Sequence, residues 1–274
     1  MRKNSANGLR PAMYLRDRIY SDQTLRTPPR KHLDTRVDHM ENRVQVKICG
    51  IRSELDLAAA LSARPDAVGF ISGITHFSED ALTPEQAAAL SAQVSSQVGA
   101  LSVKRVLVTH LEDADAILQL AQMVDVEAIQ VHGLVSRANL RKVYEHRGNR
   151  EILRAVHVTD EGVFSVVEDV AKYCDVVLLD SRTPSRLGGT GQTHDWNISK
   201  KIVEAMAGRK DVALAGGLTP DNVGQAIDLV QPYGVDVNTG VDDAGGNKSK
   251  AACAEFVKAA TRKLASTCHP AQQH

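Results

Sequence analysis

The chain has 274 residues, 33 basic and 33 acidic side chains, 43% hydrophobic residues and only 4% aromatics. That supplies one large α/β core or two small ones, while even charge and scarce aromatics argue against a nucleic-acid partner. No apolar run reaches the roughly 18 residues that span a bilayer, and Cys49, Cys174, Cys253 and Cys268 form no CxxC pair, which argues against a membrane protein, a disulfide framework or a zinc site and suits a reducing cytoplasm.

Residues 1–43 carry ten Lys/Arg against five Asp/Glu, which leaves 23 against 28 in the remainder. Arg2, Lys3, Arg10 and Arg16 resemble a transit peptide faintly, but acids follow from Asp17 onward. Met40 stands just before the first apolar run. The expectation is a disordered N-terminal extension over 1–43, one catalytic domain over 44–265 and a short tail over 266–274.

From Val44 onward a unit repeats: a β-branched run, a polar loop, then an amphipathic helix. The predicted strands are Val44–Cys49, Ala67–Ile71, Arg105–Thr109, Ala128–Val131, Ile152–Val158, Asp175–Asp180, Val212–Ala215 and Val235–Val237. Helix starts are marked between them. Ser53 precedes Glu54 and Asp56, Thr83-Pro84-Glu85-Gln86 puts Thr at the N-cap and Pro at the first helical position, and Thr219-Pro220-Asp221 repeats that pattern. Ile117, Leu120, Ala121 and Val124 give the spacing of one helical face. Eight alternating units in about 220 residues predict a parallel (β/α)₈ barrel. The rival, an open doubly wound sheet, would carry a GxGxxG turn after its first strand, and Ile48-Cys49-Gly50-Ile51-Arg52 is not one.

Such barrels hold their sites at the C-terminal strand ends. Those ends offer Cys49, His110, His132, His157, Asp180, Gly216-Gly217 and Asn238-Thr239-Gly240. The last two groups, after strands seven and eight, suit a phosphate held by backbone amides, or else simply make tight turns. Two readings also stand for Cys49: a small buried hydrophobe, or a base if its thiol pKa falls modestly. Asp180 closes an apolar strand and would donate a proton if burial or a nearby phosphate raised its pKa. His110, His132 and His157, beside Glu79 and Asp80, are candidate metal ligands or alternatively partners for a substrate. No metal or cofactor is expected.

In order along the chain come Lys47-Ile48-Cys49-Gly50-Ile51, Gly69-Phe70, Gln130-Val131-His132-Gly133, Leu178-Leu179-Asp180-Ser181, Gly188-Gly189-Thr190-Gly191, Asp195-Trp196, Leu214-Ala215-Gly216-Gly217-Leu218, Asn222-Val223 and Val235-Asp236-Val237. Together, over about residues 44–262, they resemble the phosphoribosylanthranilate isomerase family of tryptophan biosynthesis. The resemblance implies a cofactor-free Amadori rearrangement of a phosphosugar amine, with Asp180 as acid and Cys49 as base. It further implies substrate contacts from Gln130, His132, Asp236 and Arg52, and a flap at Gly188, Gly189, Thr190 and Gly191. The expected partner is a small phosphosugar, in a cytoplasmic monomer or homodimer.

The sequence departs from the family between Gly69-Phe70 and Thr83-Pro84, where an arginine would grip the substrate carboxylate. Here that stretch holds Glu79 and Asp80 and no cation beyond His76. Arg52, Arg182 and Arg186 are the candidate substitutes. Asn238-Thr239 and Lys248-Ser249 replace other family residues and still offer donors to phosphate. Two alternatives follow: a paralogue acting on a different phosphorylated N-riboside or aminosugar, and a non-catalytic phosphosugar-binding barrel.

Overall fold

A computed structural model describes residues 43–75, 77–97, 103–181 and 194–262. The expected extension (apart from Arg43), the Gly188–Gly191 stretch, His76, Arg182, Arg186 and the 266–274 tail lie outside those residues. Eight parallel strands follow in order: β1 Gln45–Ile48, β2 Ala67–Ser72, β3 Lys104–Thr109, β4 Ala128–Val131, β5 Glu151–Val158, β6 Val176–Ser181, β7 Asp211–Leu214 and β8 Gly234–Val237. Each pairs with its neighbour, and β1 joins both β2 and β8, so the sheet closes. This is the predicted (β/α)₈ barrel, and closure leaves no edge to protect among the eight. A two-residue strand, Ala81–Leu82, extends the mouth beside β2; it is too short for a periodicity to announce it.

Eight helices alternate with the strands: α1 Glu54–Ser62, α2 Pro84–Gln97, α3 Ala114–Val124, α4 Arg137–His146, α5 Val163–Val170, α6 Trp196–Met206, α7 Val223–Val230 and α8 Lys250–Ala260. No helix among the described residues is long and apolar enough to cross a membrane. Their starts follow from local hydrogen bonding. Ser53 Oγ accepts from the Asp56 amide, and Asp113, Ser136, Asp195 and Ser249 cap four other helices in the same way. Thr83 and Gln86 form a reciprocal box: each side chain accepts from the other's backbone N–H, at 3.2 and 2.9 Å. The expected start at Thr219 is corrected. The Asn222 side chain accepts from the Thr219 amide and donates to Gly217 O, which folds 219–222 as a turn and delays α7 to Val223.

Side chains alternate in and out along each strand, and the two faces build separate cores. Outward residues such as Val46, Ile48, Phe70, Leu107, Ile129, Val177, Leu179 and Val235 pack against the helices, where Ile117, Leu120, Ala121 and Val124 of α3 form one buried stripe. Inward residues form a smaller cluster that includes Ala67, Val106, Ala128, Ala155, Leu178, Ala213 and Ala215. So many alanines leave room at the axis for polar groups. Gly69 leaves the most: a Cβ there would lie 2.8 Å from Cys49 Sγ and 3.1 Å from both Cε and Nζ of Lys47.

Gly69→Ala therefore overpacks the barrel axis, and a loss of about 1–3 kcal/mol is expected from the shift of its urea denaturation midpoint. An unchanged midpoint would mean that Lys47 and Cys49 do not need that space.

Candidate active site

The alternation that builds the inner core also aims the reactive groups. Cys49, His110, Gln130, His132, His157, Asp180, Asp236 and Asn238 all fall on the inward parity of their strands or strand extensions, at or near the C-terminal ends. Register then sets neighbours: His157 lies opposite Asp180, and Lys47 opposite Asp236.

At the axis Lys47 Nζ donates to both carboxylate oxygens of Asp236, at 2.9 and 2.8 Å, and both residues are buried. Burial opposes charge on each partner and lifts the Asp236 carboxyl, but the carboxylate and the neighbouring thiol keep Lys47 protonated, with its pKa above the ordinary value. Asp236, expected to touch substrate, thus spends its carboxylate on Lys47. Lys47 is a site residue that sequence reasoning missed. The available signal was a lysine inside an apolar strand, two residues before Cys49 and so on the same face.

Burial pushes the Cys49 thiol up; Lys47 pulls it down and Asp236 adds to the rise, and the balance stays above the ordinary thiol value. Asp180 moves the other way. Burial works to raise its pKa, but His132, His157 and the Ser181 amide hold the carboxyl below the usual range. His132 Nε2 stands 3.4 Å from Asp180 Oδ2, and the Ser181 amide donates to Oδ1 at 2.8 Å. The site accordingly favours a thiol and a carboxylate. Both directions are opposite to those needed for a resting base at Cys49 and a resting acid at Asp180.

Imidazoles line one wall. The His110 and His132 rings are 4.9 Å apart, and those of His132 and His157 are 5.3 Å apart. Among the described residues the donor atoms that converge within 4.8 Å belong to His132, His157 and Asp180. His110 is not in that group; register sets Asp180 directly across from His157. His194 has a different task. Its ring bridges Ser181 Oγ on β6, at 2.9 Å, and Ser199 Oγ on α6, at 2.5 Å, and burial lowers its pKa, so it acts as a neutral tie.

Opposite lie the loops after β7 and β8. Gly216 and Gly217 have φ of +83° and +67°, and a Cβ on Gly216 would strike Ser181. A Cβ on Gly240 would come within 1.9 Å of Leu218 O, so the two loops touch through their backbones. Thr239 and Gly240 sit in a 3₁₀ turn, Thr239–Val241. Asn238 is occupied. Its amide nitrogen donates to Asp80 Oδ2 at 2.8 Å, and its oxygen accepts from the buried Lys248 at 2.8 Å. Lys248, expected as a donor to phosphate, also pairs with Asp242 at 2.6 Å and is a second buried cation. Arg52 is engaged as well: Nε lies 3.6 Å from Asp80 and 3.8 Å from Asp56, and the guanidinium donates to Gly246 O.

The N-(5'-phosphoribosyl)anthranilate (PRA) isomerase family model matches residues 46–259. A Methanosarcina mazei protein named N-(5'-phosphoribosyl)anthranilate isomerase 2 is 34% identical over 219 residues, covering 78% of this chain and 92% of that protein. The crystal structure of the Thermotoga maritima phosphoribosyl anthranilate isomerase superposes with a TM-score of 0.67 at 32% identity, over 79% of this chain and 98% of that one. A phosphoribosyl anthranilate isomerase in complex with reduced 1-(o-carboxyphenylamino)-1-deoxyribulose 5-phosphate gives 0.64 at 30% identity, with the same coverage.

Lys47→Met strands a carboxylate in the barrel axis. It is expected to cost about 3–5 kcal/mol at neutral pH, less in acid where Asp236 takes up a proton, as read from urea denaturation at several pH values. Stability equal to that of the unaltered protein would remove the ion pair from the account.

Proposed function

The chain belongs to the phosphoribosylanthranilate isomerase family, and on that premise we propose that it converts N-(5-phosphoribosyl)anthranilate to 1-(o-carboxyphenylamino)-1-deoxyribulose 5-phosphate by acid–base catalysis with Asp180 and Cys49. The observation that carries the reading is that both side chains point inward at one barrel mouth, each electrostatically coupled to Asp236. The loops carrying Gly216, Gly217, Asn238, Thr239 and Gly240 touch at the same end, and backbone amides there suit the phosphate. Asn238 contributes through its backbone in this reading, since its side chain holds Asp80 and Lys248.

Asp180 gives its proton to the ribose ring oxygen as the C1′–O bond breaks, and the amine nitrogen supplies the electron pair that forms the protonated imine. Cys49 thiolate then takes the C2′ proton. Those electrons neutralise the iminium and give an enolamine, which takes a proton at C1′ and loses its hydroxyl proton to become the ketone. Atoms balance without a cofactor. His132 hydrogen-bonds Asp180 and stabilises the carboxylate left behind.

The site favours the reverse ionisation, thiol and carboxylate. That form and the working form, thiolate and carboxylic acid, hold the same number of protons, so their ratio does not change with pH. A phosphorylated, anionic substrate beside Asp180 favours the protonated carboxyl.

A second reading has one observation behind it. Asp80, fixed at the mouth by Asn238 and Arg52, presents an acid where the aromatic carboxylate would approach. It favours an N-riboside lacking that carboxylate. Fluorescence-monitored turnover of phosphoribosylanthranilate distinguishes the two.

The expected kcat/KM profile is flat across neutral pH. It falls as pH drops through the lowered Asp180 value, where both groups are protonated, and as pH rises through the raised Cys49 value, where both are bare. Cys49→Ala and Asp180→Asn each lower kcat by about 10²–10⁴-fold with little change in melting temperature. Full activity in either variant, or an acidic limb near pH 7 from a depressed thiol, would refute the assignment.

A further inference from the structure

We propose that His132, His157 and Asp180 form a binding site for a divalent transition metal of the zinc class, seated in the barrel mouth. Their donor atoms lie within 4.8 Å of one another, on inward positions of three successive strands or strand ends, with His157 paired directly to Asp180. The His132 Nε2 to Asp180 Oδ2 separation of 3.4 Å already equals one edge of a tetrahedron, about 3.3 Å for bonds near 2.0–2.1 Å. Two imidazoles and one carboxylate are a donor set that zinc-class ions accept, and three protein ligands leave a fourth position for water.

A second observation points the same way. Gln130 Nε2 stands 3.2 Å from His132 Nδ1, while the Gln130 Oε1 is buried with no hydrogen-bond partner among the described residues. Gln130 itself is 2% exposed. Turning the amide over points Oε1 at Nδ1 and makes it the acceptor for an Nδ1–H. His132 then shows Asp180 a bare Nε2 lone pair in place of an N–H. That arrangement, one imidazole nitrogen on the ion and the other donating to a fixed oxygen, is how metal-bound histidines are held. The buried oxygen gains a partner when Nδ1 carries the proton, and the neutral tautomer of that kind leaves Nε2 free to ligate.

The metal site rests on this geometry alone. Its consequence for turnover rests on the acid role proposed for Asp180: an ion on Oδ2 takes the lone pair that would carry the proton, so the metal inhibits and a chelator restores activity.

The test is titration of the metal-stripped full chain with Co²⁺, followed by absorption, and with Zn²⁺, followed by calorimetry. One equivalent is expected to bind per chain, with the absorption of a cobalt site of mixed nitrogen and oxygen ligands. His157→Gln should weaken binding at least tenfold, and Gln130→Met by about tenfold, with melting curves confirming that both variants fold. His146→Gln, on the exposed surface of α4, should leave it unchanged. Should His157→Gln not fold, Asp180→Asn reads the same loss through the third ligand. Absence of binding, or equal affinity in the His157 and Asp180 variants, overturns the proposal. Binding without inhibition of a turning-over enzyme keeps the site and overturns its link to the acid role. Binding in a protein that turns over no phosphoribosylanthranilate supports the site while counting against the proposed reaction.

Discussion

Side chains of a pleated strand alternate between faces, and closing the sheet turns one face into a dry interior no wider than its residues permit. Everything chemical in this protein depends on how that interior is filled. Alanines at 67, 128, 155, 213 and 215 and a glycine at 69 keep it thin-walled, and the space they release admits an ion pair, a thiol and an amide. The Lys47–Asp236 pair then sits directly under the mouth. It carries little net charge into the core, yet its two ends act separately: the ammonium draws the Cys49 thiol toward ionisation and the carboxylate resists it. A barrel filled throughout with Val, Ile and Leu would be a better core and would hold no such group.

The second consequence is a division of labour along the barrel axis. Buried pairs hold the framework: Lys47–Asp236 inside the barrel, and Lys248 with Asp242 and Asn238 in the loop after β8. At the strand ends, His132 after β4 and His157 on β5 face Asp180 and hold its carboxyl below the usual range. His194 ties the end of β6 to α6 and leaves the imidazole row uninterrupted. The same imidazoles that stabilise a carboxylate after it has given up a proton are placed to hold a cation beside it.

Much of this was legible in the amino-acid order. All eight barrel strands were located within a residue or two, because β-branched runs flanked by capping residues are local signals, and Ser53 and Thr83 cap as their spacing implied. Cys49, Asp180, Gly216 and Gly240 were found at strand ends for the same reason. What escaped is non-local. The ionisation of Asp180 depends on His132 and His157, 48 and 23 residues away along the chain, and no spacing rule encodes their distance from its oxygens. Arg52 and Asn238 read as free donors until Asp80 and Lys248 were seen to occupy them. Lys47 was within reach of pattern reasoning, since it stands two residues before Cys49 in an apolar strand and so shares its face. The Thr219 turn imitates an N-cap in sequence and differs only through the side-chain bonds of Asn222.

A crystal structure of this protein with a reduced 1-amino-1-deoxyribulose 5-phosphate bound would test the central claim, that one sugar is worked on from two sides, most directly. The phosphate should rest on backbone amides of the 216–218 and 238–240 loops, with Cys49 Sγ and an Asp180 oxygen on opposite sides of C1 and C2, each within about 3.5 Å of the atom it serves. A sugar lying with both carbons beyond reach of either group, or with the phosphate at another strand end, would contradict the account.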